Sequence, residues 1–147
     1  MKKLGILVSG RGSNMQAIMD ACDQGRLSAK VAIVISNNKD ADALQIANSR
    51  NIDTAHLSSR THPDPEDLDK AMNATLCHHQ VDYVLLAGFM KKIGPETIAR
   101  FKDKIINIHP ALLPKHGGQG MYGLHVHESV IASKDKETGV TIHLVDG

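Results

Sequence analysis

Tryptophan is absent from this 147-residue chain, and phenylalanine and tyrosine supply two residues each. So few rings argue against a stacking platform for nucleic-acid bases. Charge of one sign is also lacking, with 17 Lys and Arg set against 16 Asp and Glu. That balance supplies no field to draw in nucleic acid or an anionic membrane, so neither is expected as a partner. No apolar run is long enough to span a bilayer. The run that follows Met1-Lys2-Lys3 stops at Val8. It is too short for a signal peptide, and the glycine-rich sequence after it has no cleavage-like site. Only two cysteines occur, Cys22 and Cys77, far apart and both in helical patterns. They read as buried thiols of a reducing compartment, the cytoplasm, rather than as a disulfide.

What is present is an alternation of apolar runs and helical periods. Leu4 to Val8 predicts a strand buried on both faces. Ser13 is expected to cap a helix with Met15, Ile18, Met19 and Cys22 inward, and Gly25 suits its end. Val31 to Ile35 predicts a second strand, and Asp40 a cap for a helix bearing Ala43, Leu44 and Ala47. Ile52 to Leu57 reads as a weaker third strand. Asp64-Pro65-Glu66-Asp67 joins a cap, a proline at the first helical position and first-turn acids. Leu68, Ala71, Met72, Thr75 and Leu76 form the inward stripe of that helix. Tyr83 to Ala87 predicts a fourth strand, Gly94-Pro95-Glu96 a helix with Ile98 and Phe101, and Lys104 to Ile108 a fifth strand. A helix over 124–133 and a strand over 139–145 complete the pattern. The order predicts an α/β class: a Rossmann-like, mostly parallel sheet with helices on both faces. Such domains rarely stop on a bare strand. The expectation is therefore a single domain over 1–147 whose C-terminal part is missing.

Ser9-Gly10-Arg11-Gly12-Ser13-Asn14 joins the first strand to the first helix. In an open α/β sheet ligands bind beyond the carboxyl ends of the strands. Gly10 and Gly12 permit positive φ and close backbone approach. The N–H groups of Gly12, Ser13 and Asn14, at a helix start, make a site for a phosphate. A tight turn without a ligand accounts for the same residues. The dinucleotide fingerprint is broken, because its third glycine would fall at Met15. No acid closes the second strand, where Ser36-Asn37 stands, so a dehydrogenase is disfavoured. No G-K-[ST] follows, so this is not a Walker loop.

In IINIHPALLPKH, Asn107 and His109 stand two apart on a strand and therefore share a face. Pro110 biases His109 toward extended backbone, and Pro114 prolongs the irregular path. An imidazole near neutrality can move a proton, while a neutral amide donates at any pH. Together they suit a developing oxyanion; tying down loop backbone is the competing role. The nine histidines raise the question of metal. His125 and His127 do not share a helical face, His78-His79 suits a helix end, and neither H-x-x-x-H nor C-x-x-C occurs. No metal is expected. His143, between Ile142 and Leu144, reads equally as a supporting group or as a buried, satisfied histidine.

LVSGRGSN, LLAGFMKKI and INIHPALLPKH, in that order, resemble the phosphoribosylglycinamide formyltransferase family over residues 4–147. The related methionyl-tRNA formyltransferases and formyltetrahydrofolate deformylases typically follow the histidine with Ala-Ser or His-Ser, whereas Pro110-Ala111 stands here. The resemblance implies the formyltransferase fold and transfer of a formyl group from 10-formyltetrahydrofolate, as co-substrate, to the amine of glycinamide ribonucleotide. It implies that Gly12, Ser13 and Asn14 hold the substrate phosphate. Met90, Lys91, Lys92 and Ile93 would line the folate pocket, Asn107 would bind the formyl oxygen, and His109 would be the catalytic acid/base. A homodimer stays open. Three departures accompany it. The family's further aspartate falls beyond Gly147, and Asp146 stops short of it, so little activity is expected of this chain. The family often places an arginine near Pro65, and the nearest one here is Arg60. The loop 115–123 is longer than in many members and glycine-rich. A different acceptor, or nucleotide binding without turnover, are the alternative functions.

Overall fold

The computed structural model describes residues 1–110 and 140–144, with side chains through Ile108. Five strands run parallel: β1 (Lys2–Val8), β2 (Ala29–Ser36), β3 (Asp53–His56), β4 (Tyr83–Ala87) and β5 (Ile105–Pro110). A sixth, β6 (Val140–Leu144), pairs antiparallel with β5. The sheet order is β3-β2-β1-β4-β5-β6. Helices α1 (Ser13–Asp23), α2 (Asp42–Ser49), α3 (Pro65–His78) and α4 (Pro95–Arg100) connect the parallel strands. The chain winds from β1 outward to β3, then returns through α3 to β4 on the other side of β1. The switch point of the topology therefore lies between β1 and β4, where such sheets open a crevice at their carboxyl edge.

Side-chain alternation along β1 divides the core between the two faces of the sheet. Leu4, Ile6 and Val8 pack with Met15, Ile18, Ala43 and Ala47 of α1 and α2. Leu7 joins Met72, Leu76 and Phe101 on the opposite face. Each of the larger side chains among them contributes about 1.5–3 kcal/mol by leaving water. Gly5 is the gap in that alternation: a Cβ there would stand 2.7 Å from Leu76 Cδ2. Its missing side chain is what lets α3 lie against β1. Among the described residues no helix is long and apolar enough to cross a membrane.

Several local expectations are corrected. Ser13 is the first residue of α1, and the cap position belongs to Gly12, at φ 81 with no side-chain cap. Asp40 does not cap α2; Ala41 holds that place. Instead the Asp40 N–H donates to Asn38 Oδ1 at 3.1 Å, an Asx turn that uses up the residues before the helix. Gly10 needs no positive φ; Gly12, Gly25 and Gly88 do. On α3 the buried residues are Asp69, Met72 and Leu76, while Leu68, Ala71 and Thr75 are only half-buried. The stripe is turned toward Asp69 because α4 packs there. β3 is shorter than expected. β5 runs on through Pro110, whose missing donor is tolerated because β4 has already stopped pairing beyond Ile108. The helix expected over 124–133, the loop 115–123 and residues beyond Leu144 lie outside the described residues.

Candidate active site

The glycine loop leaves β1 at the switch point. Gln16 N–H donates to Gly12 O at 2.8 Å and begins the helical ladder of α1. The first-turn amides before it have no carbonyl four residues back, so they point outward with the positive end of the helix dipole. Ser13 is exposed and Asn14 half-buried, while Gly12 is buried. Packing explains Gly12 as well as any ligand does. A Cβ there would stand 2.8 Å from Ala43 Cβ, and Ala43 N–H donates to Gly10 O at 3.2 Å. The loop is thus held from behind by α2, with its amide face outward.

Ser9 ties three strand ends together, and nothing in the sequence pattern singled it out. Its N–H donates to Gly88 O at 3.2 Å, across the switch point. Its hydroxyl donates to Asn37 Oδ1 at 2.6 Å and accepts from Met90 N–H at 2.8 Å. The segment after β4 is therefore set by the residue that opens the glycine loop.

That segment forms one wall of a cleft of about 620 Å³. Its apolar lining comes from Leu57, Leu68, Met72, Phe89 and Ile93, and its cations from Arg60, Lys91 and Lys92. Three of the four residues expected in a pocket here, Lys91, Lys92 and Ile93, line it. Met90 does not: its side chain is 80% exposed, and only its backbone is tied inward. The expectation took a continuous run, but the chain turns sharply at Gly88, φ 73, and Met90 alone of Phe89 to Ile93 is absent from the lining. Asn107 is half-buried on β5 beside Leu86 and is not part of the cleft lining. His109 lies in β5 opposite Thr141 by backbone; its side chain is outside the described residues. His143 pairs with Asn107 in the same register.

Asp69 also lines the cleft and is 7% exposed. It accepts from Glu96 N–H at 2.7 Å, Thr97 N–H at 2.9 Å and Thr97 Oγ1 at 2.7 Å. Burial raises its pKa, but the bonds from the Thr97 hydroxyl and the Glu96 and Thr97 amides outweigh it and hold the carboxyl below its ordinary value. In sequence it hides among Glu66, Asp67 and Lys70 as one more solvated charge. Its spacing to Met72 and Leu76 was the available signal. Among the described residues no three His, Cys, Asp or Glu side chains gather as a metal site.

An open, doubly wound sheet with a glycine loop and a cation-rimmed cleft at its switch point defines a class: Rossmann-like α/β proteins, whose carboxyl edge is the usual ligand side. Within that class the chain belongs to the formyl transferase family, whose pattern matches residues 2–147. It is 40% identical over 146 residues to the phosphoribosylglycinamide formyltransferase of Haemophilus influenzae, covering 99% of this chain and 66% of that protein. Its fold is similar to glycinamide ribonucleotide transformylase 1 of Symbiobacterium toebii, with TM-score 0.75, 35% identity, and 99% and 66% of the two chains covered. The Geobacillus kaustophilus enzyme of that name gives TM-score 0.75 at 33% identity, over 100% of this chain and 76% of the other.

Proposed function

We propose that the chain carries out formyl transfer from 10-formyltetrahydrofolate to the amine of glycinamide ribonucleotide, as a cytoplasmic step of purine synthesis. One observation carries the reading. The glycine loop, the 88–94 segment and Asn107 stand on β1, β4 and β5, three adjacent parallel strands, at one edge of the sheet. The amides of Gly12, Ser13 and Asn14 take the ribonucleotide phosphate. The cleft takes the folate, with apolar rings against Phe89 and Ile93 and the carboxylate tail against Arg60, Lys91 and Lys92. The amine attacks the formyl carbon, and the carbonyl oxygen becomes an oxyanion to which the Asn107 amide donates. His109 takes the proton leaving the amine and returns one to the folate nitrogen as the carbon–nitrogen bond breaks. No step calls on a metal.

Incubation of the 147-residue chain with both substrates, following tetrahydrofolate release, tests this. Slow turnover of this chain, falling by a further ~10²-fold or more in Asn107→Ala, is the expected outcome, the usual cost of losing one oxyanion donor. Formate release without the ribonucleotide would instead mark a hydrolase. Ribonucleotide binding without any turnover would leave only a binding module.

A further inference from the structure

The cleft wall formed by 88–94 is held at both ends by residues outside it. At its start, Ser9 accepts from Met90 N–H and donates to Gly88 O. At its end the chain enters α4, a helix of six residues whose cap position is Gly94 and which has no side-chain cap of its own. So short a helix does not support itself in water. The missing cap comes from α3: both Asp69 carboxylate oxygens are spent on the Glu96 and Thr97 amides and the Thr97 hydroxyl. Gly94 must be glycine for the same reason, since a Cβ there would overlap that carboxylate. We propose that Asp69 is a positioning residue for the cleft: by capping α4 from the neighbouring helix, it fixes the path of Lys91, Lys92 and Ile93. This rests on the reading of the cleft as the folate site.

The geometry separates this role from general support. Asp69 lines the cleft, yet its oxygens face α4 rather than a ligand, so its length sets the spacing between the α3 wall and the 88–94 wall. An asparagine has the same shape but turns an amide N–H toward one of the two backbone donors. The wall then loosens while the sheet and the glycine loop stay as they are.

The test is titration of the 147-residue chain and its variants with tetrahydrofolate and, separately, with glycinamide ribonucleotide. Asp69→Asn is expected to weaken tetrahydrofolate roughly tenfold, the scale of a lost hydrogen bond to a charged group. Ribonucleotide affinity should stay within about twofold. Thr97→Val should follow Asp69→Asn, and Thr97→Ser, which keeps the hydroxyl, should restore the parent affinity. Should Asp69→Asn fail to fold, the Thr97 pair carries the test. A folded Asp69→Asn that binds tetrahydrofolate like the parent overturns the inference, as does an equal loss of both ligands. A parent chain that does not bind tetrahydrofolate overturns the folate reading and this inference with it.

Discussion

The Asp69 carboxylate accepts three hydrogen bonds from α4, and its removal should be felt in stability as well as in binding. Asp69→Ala leaves the Glu96 and Thr97 amides without this acceptor, while the Thr97 hydroxyl keeps the Asp69 backbone carbonyl at 3.2 Å; each amide left unsatisfied costs about 1–3 kcal/mol. Chemical denaturation at pH 7 should show a loss of roughly 2–4 kcal/mol. Its folded pKa lies below the ordinary 3.8. The stabilisation is therefore complete above the unfolded value and is lost as pH falls through the lowered folded one. The gap between parent and Asp69→Ala should accordingly close in acid and be constant from pH 5 upward. A gap that widens in acid would contradict the assignment. Cys22 gives a second test. Burial, with Asp23 adding to it, pushes its thiol up to about 12. Iodoacetamide at pH 8 should leave Cys22 unmodified in the folded chain and label it in urea, as read by peptide mass.

At the scale of elements, the two glycines of the first loop should behave differently. Gly12→Ala places a Cβ at φ 81 and against Ala43, so it should cost about 1–3 kcal/mol. Gly10→Ala meets nothing within 4 Å and should be near neutral in the same denaturation series. The sequence pattern treated them alike, because spacing shows that a turn needs glycine without showing which one. The same limit runs through the other elements. Alternation and period located every parallel strand and the four described helices, because apolar burial writes itself into the chain at short range. Caps were less legible: Ser13 and Asp40 are good capping residues by type, yet Gly12 and Ala41 took those places. α4 shows why, since its cap is supplied by a residue on another helix, 27 positions away for Glu96. Lys91, Lys92 and Ile93 were named as a lining only through the family resemblance of LLAGFMKKI; the structure puts them in the cleft wall, after β4 at the switch point. Met90 was not excluded by anything local; the bond from its backbone to Ser9 turns it out.

At the scale of the whole molecule, stability should grade across the sheet and set how the cleft responds to a ligand. β1 is paired on both sides, by β2 and β4, while β3 has four residues and, among the described residues, β2 alone as partner. Native-state hydrogen exchange should therefore be slowest in β1 and β4, at the free energy of global unfolding, and fastest among the parallel strands in β3. The cleft draws its walls from both regimes. Phe89 to Ile93 follow the central β4, whereas Leu57 to Arg60 follow the edge strand β3. A ligand that bridges them binds only when both are in place, so it should slow exchange most where the free chain opens most easily. Adding tetrahydrofolate is expected to protect 57–60 by a larger factor than 88–94, with β1 unchanged. Equal protection of the two walls would mean that β3 is already locked to the sheet, and that the edge plays no part in admitting the ligand.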